Sequence, residues 1–80
     1  MKVNLLAFGI AREILKTKTL ELEVQSGDTI AVLKDKLLKQ YPDLGKLKSL
    51  SFAVGENYQQ DSFTLSDKDE VAIIPPVSGG

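Results

Sequence analysis

Between Lys2 and Phe8 the apolar side chains fall on both faces of an extended chain: Val3, Leu5 and Ala7 on one, Leu6 and Phe8 on the other. That pattern predicts a central strand, covered on both sides for part of its length. The stretch "GIAREILKTK" breaks the pattern and reads as a connection. "TLELEV" then alternates strictly, with Leu20, Leu22 and Val24 facing in and Thr19, Glu21 and Glu23 facing out. This predicts a half-exposed strand, the second arm of an opening hairpin. After the turn "SGDT", apolar residues at Ile30, Leu33, Leu37 and Tyr41, with Leu38 beside them, predict a helix. Thr29 or Asp28 is placed to cap it. Lys34, Asp35, Lys36, Lys39 and Gln40 form its wet side, and Pro42 ends it by disfavouring helical geometry at Tyr41.

Beyond Pro42 the period changes again. "DLGKLKSL" reads as a loop or short helical turn whose leucines close the underside of the core. "SFAV" is a strand stopped at Gly55–Glu56–Asn57, and "YQQD" suits a short polar edge strand. "TLSDKDE" is a turn rich in Asp and Ser. "EVAIIP" is apolar on both faces and so central, until Pro75 and Pro76, which lack the N–H that a ladder needs. Both terminal strands are then central. Lying side by side they must be parallel, joined through a crossover containing the helix. The expected fold class is α+β, a β-grasp: a mixed sheet of about five strands with one main helix across one face. Residues 1–74 form the domain and residues 75–80 a flexible tail.

Composition narrows the chemistry more than the fold. Eighty residues make one small domain with a thin core and little room for an enclosed active site. A net charge of −1, with signs interspersed, gives no reason to expect nucleic acid or an anionic membrane as partner. With no cysteine and no histidine, thiolate nucleophiles, His-based triads, disulfides and the usual zinc ligands are all excluded. The opening "MKVNLLAFGIA" has a signal-like apolar run. Asn4 interrupts it, and Arg12 and Glu13 stand where a small-residue cleavage site belongs, so it reads as a strand of a cytoplasmic protein. No stretch is long enough to span a bilayer.

The glycines at 9, 27, 45 and 55 are scattered and form no phosphate loop. Asp67, Asp69 and Glu70 lack the alternate ligand spacing of a calcium loop and read as a solvated turn. Tyr41, Tyr58 and the three phenylalanines are too dispersed to stack bases. Chemistry by side chains thus has almost no candidates, and attention moves to "PPVSGG". Pro75–Pro76 favours extended polyproline geometry, which holds a tail away from its domain. Six residues reach at most about 20 Å. Gly79 and Gly80 have no Cβ, so the final carboxylate can pass a narrow channel. A frayed end is the bland alternative. The proline pair, the two glycines and the β-grasp pattern together favour a working tail.

With "FGIARE" after the first strand and "LSDKDEVAIIPPVSGG" at the end, the chain resembles the ubiquitin-like sulfur-carrier family, in its molybdopterin-synthase branch, over its whole length. "DTIAVLKDKLL" also looks like the helix opening of ubiquitin. The chain departs from the family at Lys68, where glycine is common in the turn before the last strand. The resemblance implies that a ubiquitin-activating-type partner adenylates Gly80 with ATP and magnesium, which the chain itself does not bind. A sulfur donor protein then converts Gly80 to a thiocarboxylate. The tail enters the large subunit of molybdopterin synthase and gives its sulfur to a cyclic pyranopterin precursor of the dithiolene. On this reading Gly80 is the reacting residue and Gly79 gives channel access. Phe8, Ile74, Pro75, Pro76, Val77 and Ser78 form the docking surface, with Arg12 as a polar anchor. Phe8 and Ile74 also fit an ordinary place in the core, and Arg12 and Glu13 an ordinary surface pair. Three other functions use the same sequence: a protein modifier conjugated through Gly80, a thiamine-pathway carrier, or an interaction module with an inert tail.

Overall fold

The computed structural model describes residues 1–47 and 50–75. Eight elements follow in order: β1 (Lys2–Ala7), α1 (Gly9–Leu15), β2 (Thr19–Glu23), α2 (Ile30–Gln40), a 3-10 turn (Pro42–Lys46), β3 (Ser51–Val54), β4 (Asn57–Gln59) and β5 (Glu70–Ile74). The strands form one sheet in the order β2-β1-β5-β3-β4. β1 and β5 lie side by side and parallel, in the register Leu5↔Val71 and Ala7↔Ile73. The other pairings are antiparallel. This is the β-grasp, with the two terminal strands central as their two-faced apolar pattern requires.

One face of the sheet carries the core. Val3 and Leu5 from β1 and Val71 and Ile73 from β5 are wholly buried, and so are Ile30 and Leu33 of α2; Leu37, also of α2, is nearly so. Each such side chain contributes about 1.5–3 kcal/mol by leaving water. Leu44 from the 3-10 turn is buried beneath them, and Leu47 and Leu50 pack at the margin, so the leucines after Pro42 do close the underside.

α2 starts without a side-chain cap. Thr29 stands at the N-cap but makes no capping bond, and the Asp28 carboxylate accepts instead from the Gln25 N–H at 2.9 Å. The first free amides of the helix are satisfied by backbone: Ile30 N–H donates to Phe63 O and Ala31 N–H to Asp61 O, both at 3.0 Å. The loop before Leu65 therefore does what a capping hydroxyl would otherwise do.

The stretch read as a plain connection, "GIAREILKTK", contains a second helix, α1. Ala11 and Leu15, one helical turn apart, are buried and tie it to the core. Its ends lack the usual signals. The N-cap is Phe8, with no side-chain cap, and the C-cap is Lys16 in left-handed backbone (φ 61°) where glycine is the common choice. As a result β1 ends at Ala7, and Phe8, its backbone still extended, serves as the N-cap of α1. The hairpin of β1 and β2 is thus antiparallel as expected, but closed through a helix.

Candidate functional site

Parallel pairing of β1 and β5 brings their C-terminal ends to one edge of the molecule. Ala7 and Ile73 are the last paired residues and both face the core. The residues that follow them, Phe8 and Ile74, alternate away from it. Phe8 is 51% exposed, which removes it from the core, whereas Ile74 is half-buried. Pro75 follows Ile74 and lies against Gly9: a Cβ on Gly9 would meet Pro75 Cγ at 3.3 Å. Gly9 also has φ +54°, so both its backbone angle and its close approach favour the missing side chain. The root of the tail is therefore seated on the first residue of α1. Pro76, Val77, Ser78, Gly79 and Gly80, which complete the expected site, lie outside the described residues.

The open face of the sheet leads to this edge. Cross-strand neighbours Thr19, Leu6, Ala72, Ala53 and Tyr58 form one row across all five strands. Leu6 and Ala72 are half-buried, Ala53 is buried, and Tyr58 is exposed. Ile10, at the start of α1, is exposed as well. One step nearer the opposite edge the row is polar, with Glu21 and Glu70 flanking Asn4. The apolar surface is thus graded toward the tail, and it is wider than the patch expected from sequence. Leu6, Ala72 and Tyr58 were not foreseen as part of it. Their signal was available once β1, β5, β3 and β4 are set side by side, because each occupies the outward phase of its strand.

Arg12 lies on α1 and is exposed, and no ion pair to Glu13 or any other acid forms among the described residues. It lines an open cleft of about 550 Å³ with Gly9, Glu13, Lys16, Thr17 and Lys18. Gly9 belongs both to this cleft and to the seat of Pro75. Among the described residues no three acidic side chains gather as a metal site, and no helix is long and apolar enough to cross a membrane.

Comparison with known proteins fits this arrangement of tail root, open sheet and helix. The ThiS family model matches residues 5–80. The chain belongs to the ThiS family. A molybdopterin synthase sulfur carrier subunit of Mycobacterium tuberculosis is 42% identical, over all of this chain and 99% of that protein. The protein of the same name in Arabidopsis thaliana is 37% identical, over all of this chain and 84% of its own length. Among solved structures, SAMP1 of Haloferax volcanii, a small archaeal modifier protein, superposes with a TM-score of 0.87 at 20% identity, each chain covered in full. A complex of subunits 1 and 2 of the molybdopterin-converting factor from Helicobacter pylori contains a match with a TM-score of 0.70 at 22% identity, again covered in full. At those identities the two structures establish the β-grasp fold.

Proposed function

We propose that this chain is the sulfur carrier subunit of molybdopterin synthase, and that Gly80 carries the sulfur. The observation that carries the reading is the end-to-end likeness to sulfur carrier subunits at 37% and 42% identity. The geometry supports it: Pro75, at the root of the tail, lies against Gly9 where the half-buried Leu6, Ala72 and Ile74 of the outer sheet face meet the start of α1.

A carboxylate is a poor electrophile. An adenylating partner overcomes this by letting the Gly80 carboxylate attack the α-phosphorus of ATP, with pyrophosphate leaving and magnesium held by that partner. A donor delivering sulfur at the level of sulfide then adds to the acyl carbon and AMP departs. The resulting thiocarboxylate keeps a nucleophilic sulfur that can form a carbon–sulfur bond to the pyranopterin precursor. Water then releases Gly80 as the carboxylate, ready for another cycle. Two such transfers supply both sulfurs of the dithiolene. Acid–base groups come from the large subunit, whose docking on Phe8, Ile74, Pro75 and the outer face of the sheet brings the tail to its pocket. That a structural neighbour is found in a complex of subunits 1 and 2 of molybdopterin-converting factor supports a partner of this type.

The test is the intact mass of the chain after incubation with the host's adenylating enzyme, ATP and a sulfur source. A gain equal to one oxygen exchanged for one sulfur, mapped to Gly80, is the expected result. Unchanged mass with an active adenylating enzyme would sink the reading, and an isopeptide-linked ladder without that gain would move it to a protein modifier.

A further inference from the structure

The chain is slightly acidic, at net −1, and most of its described cations are matched. Lys2, Lys34, Lys36, Lys39 and Lys46 each lie within 4.0 Å of a carboxylate, on Glu21, Asp61, Asp28, Asp35 and Asp43. Arg12, Lys16 and Lys18 have no such partner among the described residues, and all three line the one cleft beside the tail root. Lys68, the remaining described side-chain cation outside these pairs, lies in the turn before β5, at the opposite end of that strand from the tail.

Backbone geometry holds the cluster in place. Lys16 sits in left-handed conformation with its N–H bonded to Arg12 O at 2.8 Å, which turns the chain sharply back toward the sheet. Thr17 then donates its hydroxyl to Thr19 O at 2.9 Å, and Lys18 O accepts from Ala7 N–H at 2.8 Å. Lys16 and Lys18 are thereby presented from fixed backbone on the same side as Arg12.

We propose that this cleft is a docking site for an acidic segment of the large synthase subunit, which it draws toward the root of the tail. The inference rests on the sulfur-carrier reading and names a contact made by that same site. Three cations against the single carboxylate of Glu13 make a local positive field on an acidic molecule, and such fields accelerate and orient association with a complementary partner. Gly9 joins the cleft to Pro75, so a protein that covers the tail root also covers the cleft. Arg12, Glu13, Lys16 and Lys18 are all exposed, which suits contact with an extended surface and leaves no buried donor to hold a lone small anion. Glu13 sets the register by repelling carboxylates from its own rim.

The test compares the full-length chain with the Lys16→Glu/Lys18→Glu double variant, binding the host's large subunit in stopped-flow at low and high salt. Both lysines are exposed, and thermal melts establish that the variant is folded. The neutral Lys16→Gln/Lys18→Gln pair provides a second reading. At about 0.02 M salt the charge reversal is expected to slow association roughly tenfold or more, the neutral pair less. Near 0.5 M salt the difference closes, because charges beyond a few ångströms are then screened. Sulfur loading of Gly80 stays at the wild-type level. Equal rates and equal salt slopes for all three chains would overturn the inference and leave the carrier reading standing. So would an effect confined to the adenylating enzyme, or displacement of Lys16 and Lys18 amide resonances by millimolar inorganic phosphate with no change in association. A wild-type chain that neither gains sulfur nor binds the large subunit would overturn both.

Discussion

The two ends of the β1–β5 pair are built from the same strands and differ in what they leave unsatisfied. At the start of β5 the polar groups close on one another. Lys2 N–H donates to Asp67 Oδ1, Ser66 N–H to Asp69 Oδ2, Lys68 N–H to Lys2 O and Asn4 N–H to Asp69 O, at 2.7–3.1 Å. At the other end Phe8 and Ile10 face solvent, Arg12, Lys16 and Lys18 have no carboxylate partner among the described residues, and Phe8 occupies an N-cap it cannot serve. One end is organised for folding. The other holds interactions that a partner would complete, and a local cost to stability at such a place is what function ordinarily demands.

The sharpest way to break this comparison is Phe8→Asp. Asp is among the best N-cap residues, worth about 0.5–2 kcal/mol over a non-capping one. The backbone at position 8 is already extended, at φ −124° and ψ 153°, as a cap requires. The variant is expected to melt no lower than the parent. Its affinity for the large subunit should fall roughly a hundredfold, the scale of an aromatic hot spot of about 2–3 kcal/mol. Calorimetric melting and a binding titration on the same sample decide it. A melting loss on the scale of a core phenylalanine, about 3–5 kcal/mol, would place Phe8 among the folding residues instead.

The same contrast explains what could be read in the sequence. β1, β2 and α2 follow from periods of two and 3.6, and the parallel β1–β5 pair from two runs that are apolar on both faces. The edge strand read from the polarity of "YQQD" starts one residue earlier, at Asn57, and ends at Gln59. Leu6, Ala72, Phe8 and Ile74 share an outer face as a direct consequence. α1 escaped because its start and stop signals are missing: Phe8 caps it without a hydroxyl or carboxylate, and Lys16 ends it in left-handed backbone. Ile10, Ala11, Ile14 and Leu15 do have helical spacing, but seven residues without caps are a weak signal. The basic cleft was hidden for the same reason, since only the turn at Lys16 brings Lys18 beside Arg12. The contact of Gly9 with Pro75 depends on how strand ends and a helix start meet in space, and no local pattern encodes that.

The folding end makes smaller predictions. Asp69 accepts from Ser66 N–H at 2.7 Å, and its own N–H donates to Ser66 O at 3.1 Å. Asp69→Ala removes the carboxylate bond and keeps the backbone one. The bond is exposed, so the loss is expected to be about 1 kcal/mol, read from a denaturant midpoint. Binding to the large subunit should be unchanged, because this turn lies at the far end of the sheet. A binding defect equal to that of Phe8→Asp would erase the distinction between the ends.

Lys68 offers the smallest and most discriminating change. Its φ of 67° is left-handed, which costs a residue with a Cβ about 1–2 kcal/mol. Lys68→Gly removes that cost but adds conformational freedom to the unfolded chain, worth roughly 0.5–1 kcal/mol in the opposite sense. The N–H bond to Lys2 O at 2.7 Å survives the change, since it is made by backbone. The net expectation is a gain of about 0.5–1 kcal/mol in a denaturant titration, with sulfur loading and association unaltered. Lys16 is left-handed too, and there the same replacement should also relieve strain, but it would remove a charge from the cleft. Lys16→Gly is therefore expected to match Lys68→Gly in stability and differ from it in salt-dependent association. Equal behaviour of the two glycines in association would deny Lys16 any role beyond ending its helix.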